Sequence, residues 1–330
     1  MNWLQAYDAG LRLNRFSFLV YSIVIAVLGY GIWAGMNDGE KIAEAVSRVG
    51  ISGLLFLCAL SILNYFLRYL RWYFMLRHLG DKPAFGDGLV CYWAGFALTT
   101  TPGKAGETIR CLYFNTRHGI NNAHSLAVFL LDRLSDLVPA LLMSTAALFY
   151  FPHLHWIGWS MLLLVIAVML AIYKPILFLS VSARLERVSP VLLRKFFQAA
   201  PKFFEKSADL MSMKIFLPAS ILGLVSWSAE AYGFSWLATL LGAQADTLVL
   251  MGIFFLAMMA GVITPGGLGG TEVVMASLLM AVGLDASAAF VVSLICRVAT
   301  LWLSVVIGLM SMLWLQYKPP SVLLDNEGNT

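Results

Sequence analysis

Two short glycine-rich stretches are the part of this sequence best suited to binding an anion. Residues 101–107 read TPGKAGE, and residues 264–272 read TPGGLGGTE. Each stretch precedes a predicted helix, whose N-terminus has unpaired N–H groups and the positive end of the helix dipole. Glycine also lets a ligand approach the backbone closely. The pattern predicts a phosphate or phosphodiester ligand, with Lys104 adding a positive charge. The backbone candidates are Gly266, Gly267, Gly269 and Gly270.

The same two stretches have other interpretations. Glycines permit close packing of membrane helices without any ligand. Glu107 and Glu272 stand near the start of the helix that follows each stretch. A carboxylate there can cap free N–H groups or contact a cationic headgroup. The sequence leaves both roles open.

Charged side chains inside apolar segments form the second group of candidates. An ionisable residue at membrane depth is costly and is a functional candidate by default. Arg133 and Arg297 lie about 11 residues into their predicted helices, hence about 16 Å from the helix starts and near the middle of an apolar layer about 30 Å thick. They bind a lipid phosphate, or they neutralise nearby acids. The candidate acids are Asp132, Asp136 and Glu230.

Three polar side chains share one face of the helix predicted over residues 51–76. Asn64, Arg68 and Arg71 are three or four residues apart, which places them on the same side of a helix. They line an interior site, or the two arginines extend to the cytoplasmic interface.

No pattern in the sequence indicates bond-making chemistry. The four cysteines lie in apolar segments without metal-ligand spacing, which is typical of small buried hydrophobic residues. Nucleophile, zinc-protease and nucleotide-binding motifs are missing from the sequence. We therefore expect no metal, no cofactor, no catalytic residue and no enzymatic activity.

The composition is typical of a membrane protein. Of 330 residues, 60% are hydrophobic and 12% are charged, whereas soluble domains have about 25% charged residues. The sequence predicts an all-α integral membrane protein, a polytopic helical bundle, in one domain over residues 1–318 with a polar tail over 319–330. The net charge of +4 does not indicate a nucleic-acid partner, because the basic residues lie in predicted cytoplasmic loops.

Hydrophobic runs of sufficient length predict full helices and, around each glycine stretch, pairs of shorter arms. A polar link is predicted over residues 37–50 and an amphipathic cytoplasmic segment over 182–214. The full helices are predicted at about 16–36, 51–76, 122–151, 156–179, 215–241 and 286–315. The arms are predicted at about 85–100, 104–118, 245–263 and 270–283.

The distribution of Lys and Arg predicts an inverted-topology repeat. The basic segment 182–214 belongs in the cytoplasm, which puts both chain termini on that side of the cytoplasmic membrane. Residues 51–151 and 215–315 then form two units of opposite orientation, each with a re-entrant Gly-loop hairpin. Arg133 and Arg297 follow their Thr-Pro-Gly triplets at nearly equal distances. Such repeats are a recurring transporter architecture.

These residues resemble the lysylphosphatidylglycerol synthase transmembrane-region family, which includes the flippase half of the multiple peptide resistance factor. The resemblance rests on Asn64, Arg68, Arg71-Trp72, Asp132-Arg133 and the stretches 101–107 and 264–272. It implies translocation of a lipid, which is aminoacylated phosphatidylglycerol in the best understood members. We expect no soluble aminoacyl-transferase domain within these 330 residues, so the lipid is not restricted to an aminoacylated one, and other phosphate lipids, such as polyprenyl phosphates, are alternatives.

The expected function is a lipid flippase or transporter that moves a phosphate-containing membrane lipid. The alternatives are an intramembrane transferase that acts on a lipid phosphate, with Asp132, Glu230 and Glu272 as its acids, and a membrane scaffold. A homo-oligomer and a separate lipid-synthesising enzyme are the protein partners that the sequence leaves open.

Overall fold

The computed structural model describes residues 3–173, 206–261 and 269–318. Every regular element in these ranges is helical, which confirms the all-α prediction. Gly266 and Gly267, most of the amphipathic segment 182–214 and the tail 319–330 lie outside the described residues.

The described ranges contain ten α-helices. Two 3-10 segments, Gly95–Leu98 and Pro102–Thr108, connect α2 to α3, and a π-helical segment, Val298–Trp302, connects α9 to α10. The helices are α1 Trp3–His78, α2 Phe85–Ala94, α3 Ile109–His118, α4 Asn122–Tyr150, α5 His155–Tyr173, α6 Met213–Leu240, α7 Thr247–Ala260, α8 Gly270–Ala281, α9 Ala286–Arg297 and α10 Leu303–Tyr317.

The chain divides into two compact units, Met1–Arg48 and Val49–Thr330. Helix α1 extends from Trp3 to His78. The prediction of a non-helical polar link over residues 37–50 is therefore wrong. Glu44 and Arg48, one helical turn apart, form an ion pair at 2.8 Å, and such pairs support helical backbone. Gly50 lies at the end of the predicted link, and its φ of +62° is left-handed.

Three helices in the described ranges are long and apolar enough to cross a membrane: Ala43–His78, Met213–Leu240 and Ala286–Tyr317. The predictions of about 51–76, 215–241 and 286–315 match them. Local chemistry explains two of the helix starts. Asn121 and Asp285 each accept a hydrogen bond from a backbone N–H two or three residues on, which satisfies donors that a helix start leaves free.

Each glycine stretch lies between two short helices that pack on each other. α2 packs on α3, and α7 packs on α8, while α4 packs on both α6 and α7. α10 packs against α2 and the Gly95–Leu98 turn. At Gly308 in α10, a Cβ atom would come within 2.1 Å of the Ala97 nitrogen. Only glycine therefore permits this approach of α10 to the turn.

Candidate functional site: a cavity lined by cations

The unit Val49–Thr330 contains a cavity of about 350 Å³. It lies between α1, α4, α6, α7, α9 and the Pro102–Thr108 segment. One part of its wall is apolar, with leucines of α4 and methionines of α7. The other part is charged. The charged lining residues are Arg68, Lys104, Arg133, Asp136, Glu230 and Arg297.

Arg68 extends from α1 into this cavity and has N–H donors without acceptors. Its side chain is 4% exposed, yet Nε and Nη2 have no hydrogen-bond partner among the described residues. The Glu107 carboxylate lies 4.0 Å from Nη2, beyond hydrogen-bond distance. The guanidinium lies over the rings of Phe96 and Trp227, 5.6 and 5.2 Å from their centroids. Because buried donors are normally satisfied, Arg68 has the character of a ligand-binding group.

Lys104 is held in an unusual backbone conformation. Its φ is +56°, and within the described ranges it is the sole non-glycine residue with a positive φ. Such backbone is strained for a side chain other than glycine. Nζ lies 5.5 Å from the centroid of the Trp227 ring, and Lys104 forms no ion pair with any described residue. Strain at a cavity wall is typical of a functional position.

Arg133 on α4 forms ion pairs with only part of its guanidinium group. Nη2 lies 2.5 Å from Asp132 and 3.8 Å from Glu107, and Nη1 lies 3.5 Å from Asp136. Its Nε has no partner in the described part of the chain. Arg133 therefore combines an ion pair with a donor that remains open.

Trp227 on α6 is a cavity residue that the sequence analysis did not single out. Its indole N–H donates to Asp136 at 2.8 Å, while its ring faces both Arg68 and Lys104. These cation–π contacts stabilise the two cations without neutralising them. One available signal is the spacing of Trp227 and Glu230, which puts both on one side of α6.

Arg71, Asp132 and Asp136 form an ion-pair network beside the cavity, in which Asp136 lines the wall and Arg71 and Asp132 are buried. Arg71 donates through Nε to Asp132 at 2.8 Å and through Nη2 to Asp136 at 2.7 Å. Asn64, on the same helix, donates to the Ser226 carbonyl at 2.9 Å. Because Arg68 and Arg71 are both buried, they do not extend to an interface, and that alternative is wrong.

Glu107 does not cap a helix. Its carboxylate accepts hydrogen bonds from Thr99 Oγ1 at 2.7 Å and from Arg110, an arginine that the sequence analysis did not select. In the same stretch, the Gly106 N–H donates to Thr101 Oγ1 at 2.6 Å. This backbone donor of the first glycine stretch is therefore occupied by the protein itself.

Glu272 is likewise bound to an arginine. It accepts a hydrogen bond of 2.7 Å from Nε of Arg297, and both side chains are buried. The π segment begins directly after Arg297, and π turns are frequent at functional sites. Near the second stretch, Gly269 has a φ of +80°, which a residue with a side chain adopts only under strain.

A second polar cluster lies where α2 and α3 meet. Ligand atoms of Asp87, Cys91 and His118 lie within 4.8 Å of one another, but both Asp87 oxygens accept 2.9 Å hydrogen bonds from Arg117. Burial would raise the pKa of Asp87, but the hydrogen bond and charge of Arg117 outweigh it and lower that pKa. Burial lowers the pKa of His118. The cluster is an ion-pair network that links the two helices.

The fold defines a multi-pass all-α membrane protein whose interior cavity is lined by cations. A model of the family described as "Lysylphosphatidylglycerol synthase TM region" matches residues 18–308, so the chain belongs to that family, as the resemblance predicted. It is 23% identical over 311 residues to the UPF0104 membrane protein PH1989 of Pyrococcus horikoshii, with 84% of this chain and 90% of the archaeal protein covered.

Proposed function

We propose that this protein is a lipid flippase or transporter, and that its cavity binds the phosphate of a lipid headgroup. The observation that carries the proposal is the set of open donors on Arg68 and Arg133 beside the unpaired Lys104. Charge-assisted hydrogen bonds from Arg to phosphate are among the strongest in proteins. The apolar part of the wall suits the start of an acyl or polyprenyl chain. Membership of a lipid-related membrane family supports the same conclusion.

We further propose that the two glycine stretches form re-entrant hairpins in an inverted repeat. α2 and α3 have 10 residues each, about 15 Å of helix, which is half of an apolar layer about 30 Å thick. α7 and α8, with 14 and 12 residues, are also too short to cross it upright. In both halves the glutamate after the glycines approaches an arginine of the following long helix.

The location proposed for the protein is the cytoplasmic membrane, with both termini in the cytoplasm. The support is the positive charge of residues 182–214. No catalytic role is proposed, because the buried acids Asp132 and Glu272 are bonded to arginines, whereas a reacting acid needs access to substrate.

Reconstitution in liposomes tests the function. Fluorescent phosphatidylglycerol and phosphatidic acid are compared with a fluorescent glucosylceramide, which has no phosphate, and the outer leaflet is bleached with dithionite. We expect the phosphate lipids to change leaflet faster than in protein-free liposomes, and the glucosylceramide to stay at the protein-free rate. Equal rates for all three lipids would contradict phosphate recognition. A new lipid product on chromatography would favour the transferase.

A further inference from the structure

Glu230 differs from the other acids around the cavity because it has no partner. It lies on α6, is 6% exposed and borders the cavity. Within the described ranges it forms neither a hydrogen bond nor an ion pair. By contrast, the other three buried acids, Glu107, Asp132 and Glu272, and the partly buried Asp136 are all paired with arginines.

Both charge signs face Glu230 from the surrounding elements. Helix α7 (Thr247–Ala260) packs on α6 but contributes no charge, because it contains no ionisable side chain. The ionisable side chains that border the same space are Tyr65 and Arg68 of α1, Lys104 of the 102–108 segment, Arg133 and Asp136 of α4, and Cys296 and Arg297 of α9.

The electrostatic balance of Glu230 depends on what the cavity holds. Without a ligand, the open charges of Arg68 and Lys104 offset a Glu230 carboxylate. Once a phosphate engages those cations, the carboxylate faces another anion in a dry site, where an uncompensated charge is costly. Protonation removes the repulsion. By linkage, the headgroup promotes proton uptake to the same extent that the proton promotes headgroup binding.

We propose that Glu230 takes up one proton when a phosphate headgroup enters the cavity, so that lipid and proton cross the membrane together. The inference rests on the proposed function and names the ion that accompanies the lipid. One O–H bond forms on the Glu230 carboxyl as the headgroup binds, and it breaks when the headgroup leaves, returning the proton to water. A monoanionic lipid and its proton together carry no net charge.

A pH gradient across liposomes tests this coupling. The liposomes contain phosphatidylcholine and a trace of fluorescent phosphatidylglycerol, whose leaflets are distinguished with dithionite. We expect the labelled lipid to accumulate in the leaflet on the alkaline side, up to about tenfold for a gradient of one pH unit. A potassium diffusion potential at equal pH should have no effect, because the transported pair is neutral.

Variants identify the proton-binding group. Glu230→Gln should still move the lipid but lose the response to pH, whereas Glu230→Asp should retain it. Asp246→Asn, which changes an exposed acid at the start of α7, is the matched control and should behave as the unmodified protein. Lipid movement without pH response in the unmodified protein would overturn the coupling and leave the proposed function standing.

An infrared measurement on the reconstituted protein separates the two proposals further. Adding phosphatidylglycerol should increase the absorption of a protonated carboxyl group, and Glu230→Gln should abolish this increase. An unchanged spectrum overturns proton uptake at Glu230. A failure of every phosphate lipid to move would instead contradict the proposed function. The inference would also be overturned if Glu230→Gln stopped the movement of lipids with cationic headgroups, and of no others, at every pH. The carboxylate would then bind the headgroup itself.

Discussion

Glu272 accepts a 2.7 Å hydrogen bond from Nε of Arg297, 25 residues further along the chain. In the first half of the chain, the Glu107 carboxylate lies 3.8 Å from Nη2 of Arg133. Each glutamate follows a glycine stretch, and each arginine lies inside the next long helix. We call α2 with α3, and α7 with α8, the two short-helix units. The ion pairs connect each unit to the wall of the cavity, so a movement of either unit would displace its arginine.

The Glu272–Arg297 pair should be needed for stability. Removing one partner of a buried ion pair leaves an uncompensated charge and costs about 3–5 kcal/mol. Glu272→Gln should therefore lower the melting temperature in detergent strongly. The double variant Glu272→Gln with Arg297→Met should recover part of the loss, because neither charge remains. Strictly additive losses would show that the pair is not energetically coupled.

Arg68 and Arg71, on adjacent turns of α1, should respond differently to the same substitution. Arg71→Gln breaks a buried ion pair with Asp132 and a partly buried one with Asp136, and it should cost about 3–5 kcal/mol of stability. Arg68→Gln removes a cation with open donors, so the melting temperature should change little. Its effect should be on phosphate-lipid movement, reduced about ten- to hundredfold if one charged hydrogen bond of about 1.5–3 kcal/mol is lost. Arg48→Gln, at an exposed arginine, is the control, and normal transport by Arg68→Gln would refute its role.

Gly308→Ala should destabilise the packing of α10 against the Gly95–Leu98 turn. The added Cβ would overlap the Ala97 backbone, and overpacking costs about 1–3 kcal/mol. Gly86→Ala on α2 is the matched control, since nothing lies within 4 Å of its Cβ position, and alanine should stabilise the helix by about 0.5–1 kcal/mol. Thermal unfolding in detergent measures both. Similar melting temperatures for the two variants would mean that α10 adjusts freely.

Acid should weaken the contact between α2 and α3 through Asp87 and His118. Both groups have lowered pKa values in the folded protein, so the unfolded chain binds more protons as the pH falls, and stability falls with it. The loss begins near the ordinary His pKa of about 6.5 and continues near the ordinary Asp value of about 3.9. His118→Gln should remove the first step and Asp87→Asn the second.

Melting temperatures across a pH series measure this dependence. His78→Gln, which changes an exposed histidine at the end of α1, serves as the control and should keep the profile of the unmodified protein. If His118→Gln keeps that profile as well, His118 does not contribute.

The inverted repeat predicts opposite sidedness for the two short-helix units. Ala84 precedes α2 and Asp246 precedes α7, and both residues are exposed. In a background without the four native cysteines, Ala84→Cys should react with an impermeant maleimide from the cytoplasmic side and Asp246→Cys from the other side. Labelling of both positions from one side would refute the inverted arrangement.

Much of the architecture follows from the sequence alone. Long apolar runs determined the all-α membrane class and the approximate positions of α4, α6 and the α9–α10 region, because helix length and hydrophobicity are local properties. The similar spacing of Arg133 and Arg297 from their Thr-Pro-Gly triplets singled out both arginines. Their partners were foreseen in part, because Arg133 does contact Asp132 and Asp136, whereas Arg297 contacts Glu272 and not Glu230. The predicted link over residues 37–50 failed because local pairing such as Glu44 with Arg48 overrode a weak break signal.

The tertiary structure alone decided which charges are satisfied and which are open. Arg68 and Arg71 look equivalent in sequence, yet Arg71 meets Asp132, 61 residues away, while Arg68 faces the cavity. Trp227 gains its role only when α1, α6 and the 102–108 segment come together around its ring. Helix formation depends on near neighbours and on the surrounding solvent, whereas ion pairing depends on which helix faces touch, and that is set by the packing of the whole bundle.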